Sequence, residues 1–373
     1  MNHYSIDDVV NEAERMEIQR LANWLDTGGM PLIISGPCAA ETEDQVLETA
    51  RELSRFKQIK VFRSGIWKPR TRPSYFEGVG EPGLSWLKKV REQYGFMTTV
   101  EVAQPHHVEL CLKHGIDILW LGARTVVNPF SVQEITEVLK GVDIPVMVKN
   151  PVNPDLKLWL GAIERVNKVG IDKIIAVHRG FYSLSKTLFR NPPMWEIPIE
   201  LKRIVPGLPV ISDPSHICGN RNMLFQISQK ALDLEMDGLM IESHIDPINA
   251  LTDARQQVTP YEMGSILDKL VIRKEIPVNS SRDKLGVLRE EIDKLDEDML
   301  QTLARRLDIV REIGALKKEH NLTILQIKRW SYVFEDRLEK GVDLGIEKEF
   351  LNRMLEILHD ESIRLQTEIM NEK

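Results

Sequence analysis

Eight short apolar runs alternate with charged, helix-like segments up to Leu270. Past Asp283 a 3.6-residue periodicity without proline takes over. These two observations predict an α/β fold, a (β/α)8 TIM barrel, followed by an all-α three-helix domain. With 373 residues and 42% hydrophobic content, the chain can bury a full core and build more than one domain.

The chain is expected to open with an amphipathic helix over residues 5–27, with Ile6, Val9, Ala13, Met16, Leu21 and Trp24 on one side. The eight runs follow: Pro31–Ser35, Ile59–Arg63, Met97–Val102, Asp117–Leu121, Pro145–Val148, Lys173–Val177, Pro209–Ser212 and Gly238–Ile241. Each is too compact for a helix, and their starts lie about 20 to 40 residues apart, the length of a strand plus a returning helix. Residues 1–270 are therefore expected to form the barrel domain, 271–283 a linker, and 284–373 the helical domain. The linker contains Pro277, Asn279, Ser280 and Ser281, and Ser280 with Asp283 has the spacing of a helix capping box. Leu285, Leu288, Ile292, Leu295, Met299, Leu303, Val310 and Ile313 draw one stripe along a helix from about Ser281 to Glu319. Such a rod, about 58 Å long at ~1.5 Å per residue, is too long for two ordinary helices of its own chain to cover, and pairing with its copy in a second protomer is expected. Helices over Ile324–Lys340 and Ile346–Asn371 complete the unit.

A net charge of −7 and a pI near 5.8 argue against a non-specific nucleic-acid binder. No apolar run reaches the roughly 20 residues of a membrane span, and no signal-peptide core opens the chain, so a cytoplasmic protein is expected. Three cysteines, Cys38, Cys111 and Cys218, form no disulfide framework.

Against this acidic background, cations concentrate where the runs end. Arg63 closes the second run and begins a stretch, through Lys68 and Arg70 to Thr71, in which Pro69 stiffens an anion clamp. Cys38 follows the first run and Glu101 ends the third. Arg124, Lys149, His178 with Arg179, Asp213 with His216, and Glu242 follow the fourth to eighth. Barrel proteins place their sites at the C-terminal strand ends, so these residues should converge around small, multiply charged anions. In the helical domain, Arg306 and Lys317 interrupt the apolar stripe, and Ser362 and Gln366 interrupt that of the last helix. A buried cation must be paired. With Arg289 and Arg329, these residues suggest a pocket for a dicarboxylate.

Residues 31–270 resemble the type I family of 3-deoxy-D-arabino-heptulosonate 7-phosphate (DAHP) synthases, in a version without an N-terminal regulatory domain. The resemblance rests on Gly36-Pro-Cys-Ala39, Lys68-Pro-Arg-Thr71, Gly122-Ala-Arg-Thr125, Val148-Lys-Asn150, His178-Arg-Gly180, Asp213-Pro-Ser-His216, Ile241-Glu-Ser-His244 and Leu251-Thr-Asp253. Residues 281–371 resemble the all-helical chorismate mutases in Leu288-Arg-Glu290, Leu303-Ala-Arg-Arg306, Gly314-Ala-Leu-Lys317 and Ser362-Ile-Arg-Leu-Gln366.

The resemblance implies one divalent metal, Mn, Fe, Co or Zn, on Cys38, His216, Glu242 and Asp253, a mixed donor set of borderline softness. It implies phosphoenolpyruvate on Arg63, Lys68, Arg124, Lys149 and Arg179, with Lys68 counted as catalytic, and erythrose 4-phosphate on Arg70 and Thr71. Glu101 and His178 are alternatives for positioning water. In the mutase domain, which needs no cofactor, it implies chorismate bound by Arg306, Arg329, Ser362 and a partner protomer's Arg289, with Lys317 and Gln366 at the ether oxygen. Arg306, Lys317 and Gln366 are the expected catalytic groups. Gln326 and Trp330 stand where that family commonly has Asp and Glu. A homodimer through the helical domain and inhibition by prephenate are implied as well. Two alternatives remain: a related synthase of the 3-deoxy-octulosonate 8-phosphate or sialic acid type, and a helical domain that senses chorismate or prephenate without catalysis.

Overall fold

The computed structural model describes residues 15–68, 75–185, 187–273 and 284–372. Its chain divides into two compact units, Met1–Lys274 and Glu275–Lys373. In the first, eight strands form a closed barrel in sequence order, every neighbouring pair parallel and β8 returning to β1. They are β1 Leu32–Gly36, β2 Ile59–Arg63, β3 Met97–Val102, β4 Ile118–Leu121, β5 Val146–Lys149, β6 Ile174–His178, β7 Val210–Ser212 and β8 Gly238–Glu242. Each falls on one of the eight runs. Pro31, Pro145 and Pro209 stay just outside because they lack an N–H to donate, yet the carbonyls of Pro145 and Pro209 accept from Leu119 and Ala176 at 3.1 and 2.9 Å.

The helices around the barrel are α1 Glu43–Leu53, α2 Pro82–Tyr94, α3 Pro105–His114, α4 Ala123–Val126, α5 Pro129–Leu139, α6 Leu156–Lys168, α7 Glu196–Ile204, α8 Pro214–Cys218, α9 Leu224–Asp233 and α10 Pro260–Lys269. Their starts are chemically marked. Thr42, Asn128 and Asp155 cap α1, α5 and α6 through their side chains, and Thr259 with Glu262 forms a full capping box on α10. Strands covered on both faces read as continuous apolar runs, and alternate residues divide between two cores. Leu32, Ile34, Val61, Ile118, Trp120, Met147, Ile175, Val177, Ile211 and Met240 fill the barrel. Ile33, Phe62, Leu119, Val146 and Val148 face the helices. Trp159 of α6 is fully buried in that outer layer and donates its indole N–H to the Val148 carbonyl at 3.1 Å. Trp159→Ala is expected to lower stability by about 3–5 kcal/mol. Denaturant unfolding monitored by circular dichroism would check it, and an unchanged midpoint would show that the layer repacks.

The expected helix over residues 5–27 is corrected. Residues 1–14 lie outside the described ones, and 15–27 contain a single 3-10 turn, Leu21–Asn23. Tertiary contacts outweigh helical periodicity here. Gln19 bonds Asp172, backbone to backbone at 2.9 Å and side chain to side chain at 2.7 Å. Leu21, Trp24 and Leu25 pack against the barrel interior, which closes its N-terminal end.

The second unit contains α11 Lys284–Glu319, α12 Ile327–Asp343 and α13 Lys348–Asn371. The expected start of α11 and its capping box at Ser280 and Asp283 lie outside the described residues. At ~1.5 Å per residue α11 is about 54 Å long. Its second half packs on α13, where Val310, Leu351, Leu355 and Leu365 are buried. In its first half Leu288, Ile292, Leu295 and Met299 are exposed within the single chain, at 47%, 57%, 61% and 53%. α12 starts three residues later than expected, and the Ile324 carbonyl before it accepts from the Lys317 ammonium at 2.5 Å. Among the described residues, no helix is long and apolar enough to cross a membrane.

Candidate active site

Strand alternation decides what enters the barrel mouth. The inward parity of Val61, Met97, Met147, Val177, Ile211 and Met240 continues to Arg63, Glu101, Lys149, Arg179, Asp213 and Glu242 at or just past the strand ends. Above them lies a cavity of about 520 Å³ whose lining includes Lys68, Glu101, Arg124, Lys149, Arg179, Arg190, His216 and Asp253. Five cations thus face one space.

Arg63 is buried at the end of β2. It is 1% exposed, its Nη2 lies 3.1 Å from Glu242 Oε1, and its guanidinium stands over the Trp120 ring at 5.1 Å. Lys149 Nζ sits 2.8 Å from Asp213 Oδ2, and burial, only partly offset by Asp213, pulls its pKa below the usual lysine value. Burial likewise brings Arg179 down to about 10, with Arg190 and Arg124 among the nearby charges. Lys68 is held above its ordinary value although burial opposes its charge, because Cys38 and Glu101 lie beside it. Two glycines make room. A Cβ on Gly65 would lie 2.7 Å from Lys68 Nζ, and one on Gly122 would lie 2.0 Å from Glu101 Oε1. Arg70 and Thr71 lie outside the described residues.

At one side of the mouth, ligand atoms of Cys38, Glu242 and Asp253 come within 4.8 Å of one another. Cys38 Sγ is 3.4 Å from Asp253 Oδ2. The His216 ring turns Nδ1 to Asp213 Oδ2 at 2.8 Å, leaving Nε2 3.7 Å from Glu242 Oε1. Burial lowers the His216 pKa and so favours the neutral imidazole that can ligate. Burial opposes ionisation of Glu242 and Asp253, yet His216 with Arg63 holds the first below the usual carboxylate range, and His216 with Arg190 holds the second there. Burial, with Glu242 beside it, pushes the Cys38 thiol up to about 12. A buried thiol flanked by two carboxylates becomes a thiolate only with a cation among them, so this donor set fits a divalent metal of borderline softness.

Of the two residues suggested for water, Glu101 lines the cavity. His178 is fully buried, its Nε2 2.6 Å from the Pro193 carbonyl and its ring packed near Phe181 and Trp195. Residue-type reasoning missed Arg190, Gln256 and Gln257. Arg190 Nη1 lies 2.9 Å from Asp253 Oδ1 and donates to Gln256 Oε1 at 2.7 Å. Arg190 as the third cation, after Arg179 and Lys186, in the loop after β6 was a faint signal. Neutral glutamines offered none.

In the helical unit, one turn of α13 faces α11. Arg306 Nη2 donates to Ser362 Oγ at 3.1 Å, while its Nη1 is buried without a partner. Lys317 Nζ donates to Gln366 Oε1 at 2.9 Å, and Gln366 Nε2 to the Ser362 carbonyl at 3.1 Å. Burial and the nearby Arg337 lower the Arg306 pKa. Arg306, Lys317, Ser362 and Gln366 are therefore brought together. Arg289, 17 residues before Arg306 on the same helix, stands about 25 Å up the axis at ~1.5 Å per residue, and can join them only from a second protomer. Arg329 is exposed, with its guanidinium 5.6 Å from the Tyr332 ring. Trp330 stacks on His359, ring centroids 3.5 Å apart, and Gln326 precedes α12 as its N-cap.

A parallel barrel whose mouth gathers five cations beside a thiol–carboxylate–imidazole cluster defines a class: a (β/α)8 protein for polyanionic ligands at a metal-competent site. Residues 17–276 match the DAHP synthetase I family, and the chain belongs to that family. Residues 288–367 match chorismate mutase type II. The chain is 31% identical over 226 residues to a phospho-2-dehydro-3-deoxyheptonate aldolase of Thermotoga maritima, a match covering 61% of this chain and 64% of that relative's length. It is 30% identical over 283 residues to a 2-dehydro-3-deoxyphosphooctonate aldolase of Desulfatibacillum aliphaticivorans, covering 68% of this chain and 97% of that one. The crystal structure of the Thermotoga maritima DAHP synthase superposes with a TM-score of 0.59 at 27% identity, covering 69% of this chain and 76% of that one.

Proposed function

We propose that the barrel condenses phosphoenolpyruvate with erythrose 4-phosphate to DAHP and phosphate, and that the helical domain rearranges chorismate to prephenate. The observation that carries the first activity is the inward parity of Lys149 and Arg179, joined by Lys68, Arg124 and Arg190 around one cavity. Two multiply charged anions repel, and only a convergent set of fixed cations holds them in reacting contact. Arg63, Lys68, Arg124, Lys149 and Arg179 hold phosphoenolpyruvate. Arg70 and Thr71 hold the sugar phosphate. C3 of the enol attacks the aldehyde carbon, water adds at C2, and the C–O bond to phosphate breaks; Glu101 positions that water. Cys38, His216, Glu242 and Asp253 would hold a divalent metal, which when bound supplies Lewis-acid polarisation of the aldehyde oxygen.

The second activity needs no proton transfer. Arg306, with Ser362 beside it, Arg329 and a partner protomer's Arg289 fix the two carboxylates, while Lys317 and Gln366 face the breaking ether bond. The exposed apolar half of α11 supports a homodimer through this domain. Prephenate, which carries the same carboxylates, is the proposed inhibitor of the barrel reaction. The Trp330–His359 stack in place of the family's acidic residue favours a second reading, in which the domain binds chorismate or prephenate without turning it over.

Assaying both reactions on the full chain, with and without a chelator, tests the proposal. A metal-dependent condensation beside a metal-independent mutase reaction is expected. Absence of the condensation with metal present would overturn the barrel reading, and chorismate binding without turnover would select the sensing one.

The proton inventory adds a pH prediction. His216 is held toward its neutral form and both carboxylates toward their ionised form, so binding a metal releases essentially the Cys38 proton alone. Affinity should therefore rise with pH by about tenfold per unit between roughly pH 6 and 8. Competition with a chelator at several pH values would measure the slope, and a flat profile would exclude thiolate ligation.

A further inference from the structure

The structure surrounds the three clustered ligands with a network of side-chain hydrogen bonds. Gln256 and Gln257 are consecutive, 1% and 0% exposed, and lie just past Asp253. Gln257 Oε1 accepts the Cys38 N–H at 2.9 Å, and its Nε2 donates to the Thr252 carbonyl at 2.8 Å. One amide thus clamps the loop carrying Cys38 to the loop carrying Asp253. Gln256 Nε2 donates to Glu242 Oε2 at 2.7 Å, and its Oε1 accepts from Arg190 Nη1 at 2.7 Å. That same Nη1 stands 2.9 Å from Asp253 Oδ1.

Each carboxylate therefore commits one oxygen to this network and turns the other toward the cluster. Asp253 Oδ2 faces Cys38 Sγ at 3.4 Å, and Glu242 Oε1 is ion-paired with Arg63 Nη2 at 3.1 Å and lies 3.7 Å from His216 Nε2. The partners also fix both amide orientations, because a carboxylate or carbonyl can only accept, and a guanidinium or backbone N–H can only donate. Glutamate would set an acceptor against Glu242 or the Thr252 carbonyl, and an apolar residue would leave buried donors and acceptors unpaired. Asp253 itself sits at φ 47°, a left-handed conformation uncommon outside glycine, which surrounding bonds must hold.

We propose that Gln256, Gln257 and Arg190 are positioning residues for the metal ligands: they aim Cys38, Glu242 and Asp253 before the ion arrives and so set its affinity. The inference rests on the metal reading above. It deepens that reading by assigning each glutamine its own ligand, Gln257 to the thiol and Gln256 to the two carboxylates.

The test uses full-length protein stripped of metal and titrated with Co²⁺, with affinity from competition against a chromophoric chelator and thiolate ligation from the sulfur-to-cobalt charge-transfer absorption. Gln256→Met is expected to bind Co²⁺ about 10–100-fold more weakly with the absorption kept at saturation. Gln257→Met is expected to weaken binding and also diminish that absorption. Arg190→Lys, a change at a half-exposed side chain that folding tolerates, should weaken binding about tenfold, because a flexible ammonium replaces the rigid planar guanidinium that holds Nη1 between Asp253 and Gln256. Variants that melt lower as apoproteins yet bind Co²⁺ within twofold of wild type would make the network merely structural and overturn the inference. Wild-type protein that binds no Co²⁺ would overturn the metal reading and the inference with it.

Discussion

Cys38→Ala protein is expected to lose the condensation by about three orders of magnitude or more while keeping its fold and its mutase turnover. The thiol is 1% exposed and lies 3.4 Å from Asp253 Oδ2, and it is the one soft donor in the cluster. Without it, a borderline metal keeps two carboxylates and an imidazole, a set of lower affinity and harder character. Removing a Lewis acid that stabilises developing charge forfeits several kcal/mol of the barrier reduction, and each ~1.4 kcal/mol is a factor of ten in rate. The substitution deletes a single sulfur from a packed wall, so stability should fall by only about 1 kcal/mol. Metal content, both turnovers and the unfolding midpoint measured on one preparation would check this. Full condensation activity in the variant would remove Cys38 from the site.

Arg306→Ala is expected to lower mutase turnover by about 10²–10³-fold, the usual consequence of removing a charged group aimed at the reacting centre, with the condensation largely spared in the absence of prephenate. Arg306 Nη2 is spent on Ser362, but Nη1 is buried with nothing to bond. An unpaired buried guanidinium N–H is costly, and a ligand carboxylate would remove that cost. Arg306→Lys should recover little, since an ammonium cannot present two parallel donors. Steady-state kinetics with chorismate would check both variants. Unchanged turnover in Arg306→Ala would move the reaction away from this pocket.

The barrel was legible because its strands are covered on both faces and therefore appear as largely apolar runs, most of them followed within a few residues by a charged one. The cations were legible for the same reason: a charge at the end of such a run has only the mouth to enter. Two kinds of feature escaped. The segment 15–27 has helical periodicity, yet Leu21, Trp24 and Leu25 are drawn into the barrel interior, a long-range demand that local spacing does not carry. Gln256 and Gln257 matter through where their amides point, and no composition or period distinguishes a clamping glutamine from a surface one. In the helical unit, the interruptions of the apolar stripe at Arg306, Lys317, Ser362 and Gln366 marked residues that do converge. Arg289 and Arg329 were grouped with these residues, but Arg289 lies about 25 Å along the same helix at ~1.5 Å per residue, and Arg329 is exposed on α12 beside the Tyr332 ring.

In the proposed reaction the cation-lined mouth joins phosphoenolpyruvate to a four-carbon aldose phosphate. Relatives named for the octulosonate product match this chain over most of their own length, so the aldose is the sharpest point of contact with experiment. Purified protein supplied with Mn²⁺ and phosphoenolpyruvate, and then with either erythrose 4-phosphate or arabinose 5-phosphate, should release inorganic phosphate rapidly with the first and negligibly with the second. Turnover with arabinose 5-phosphate alone would contradict the account.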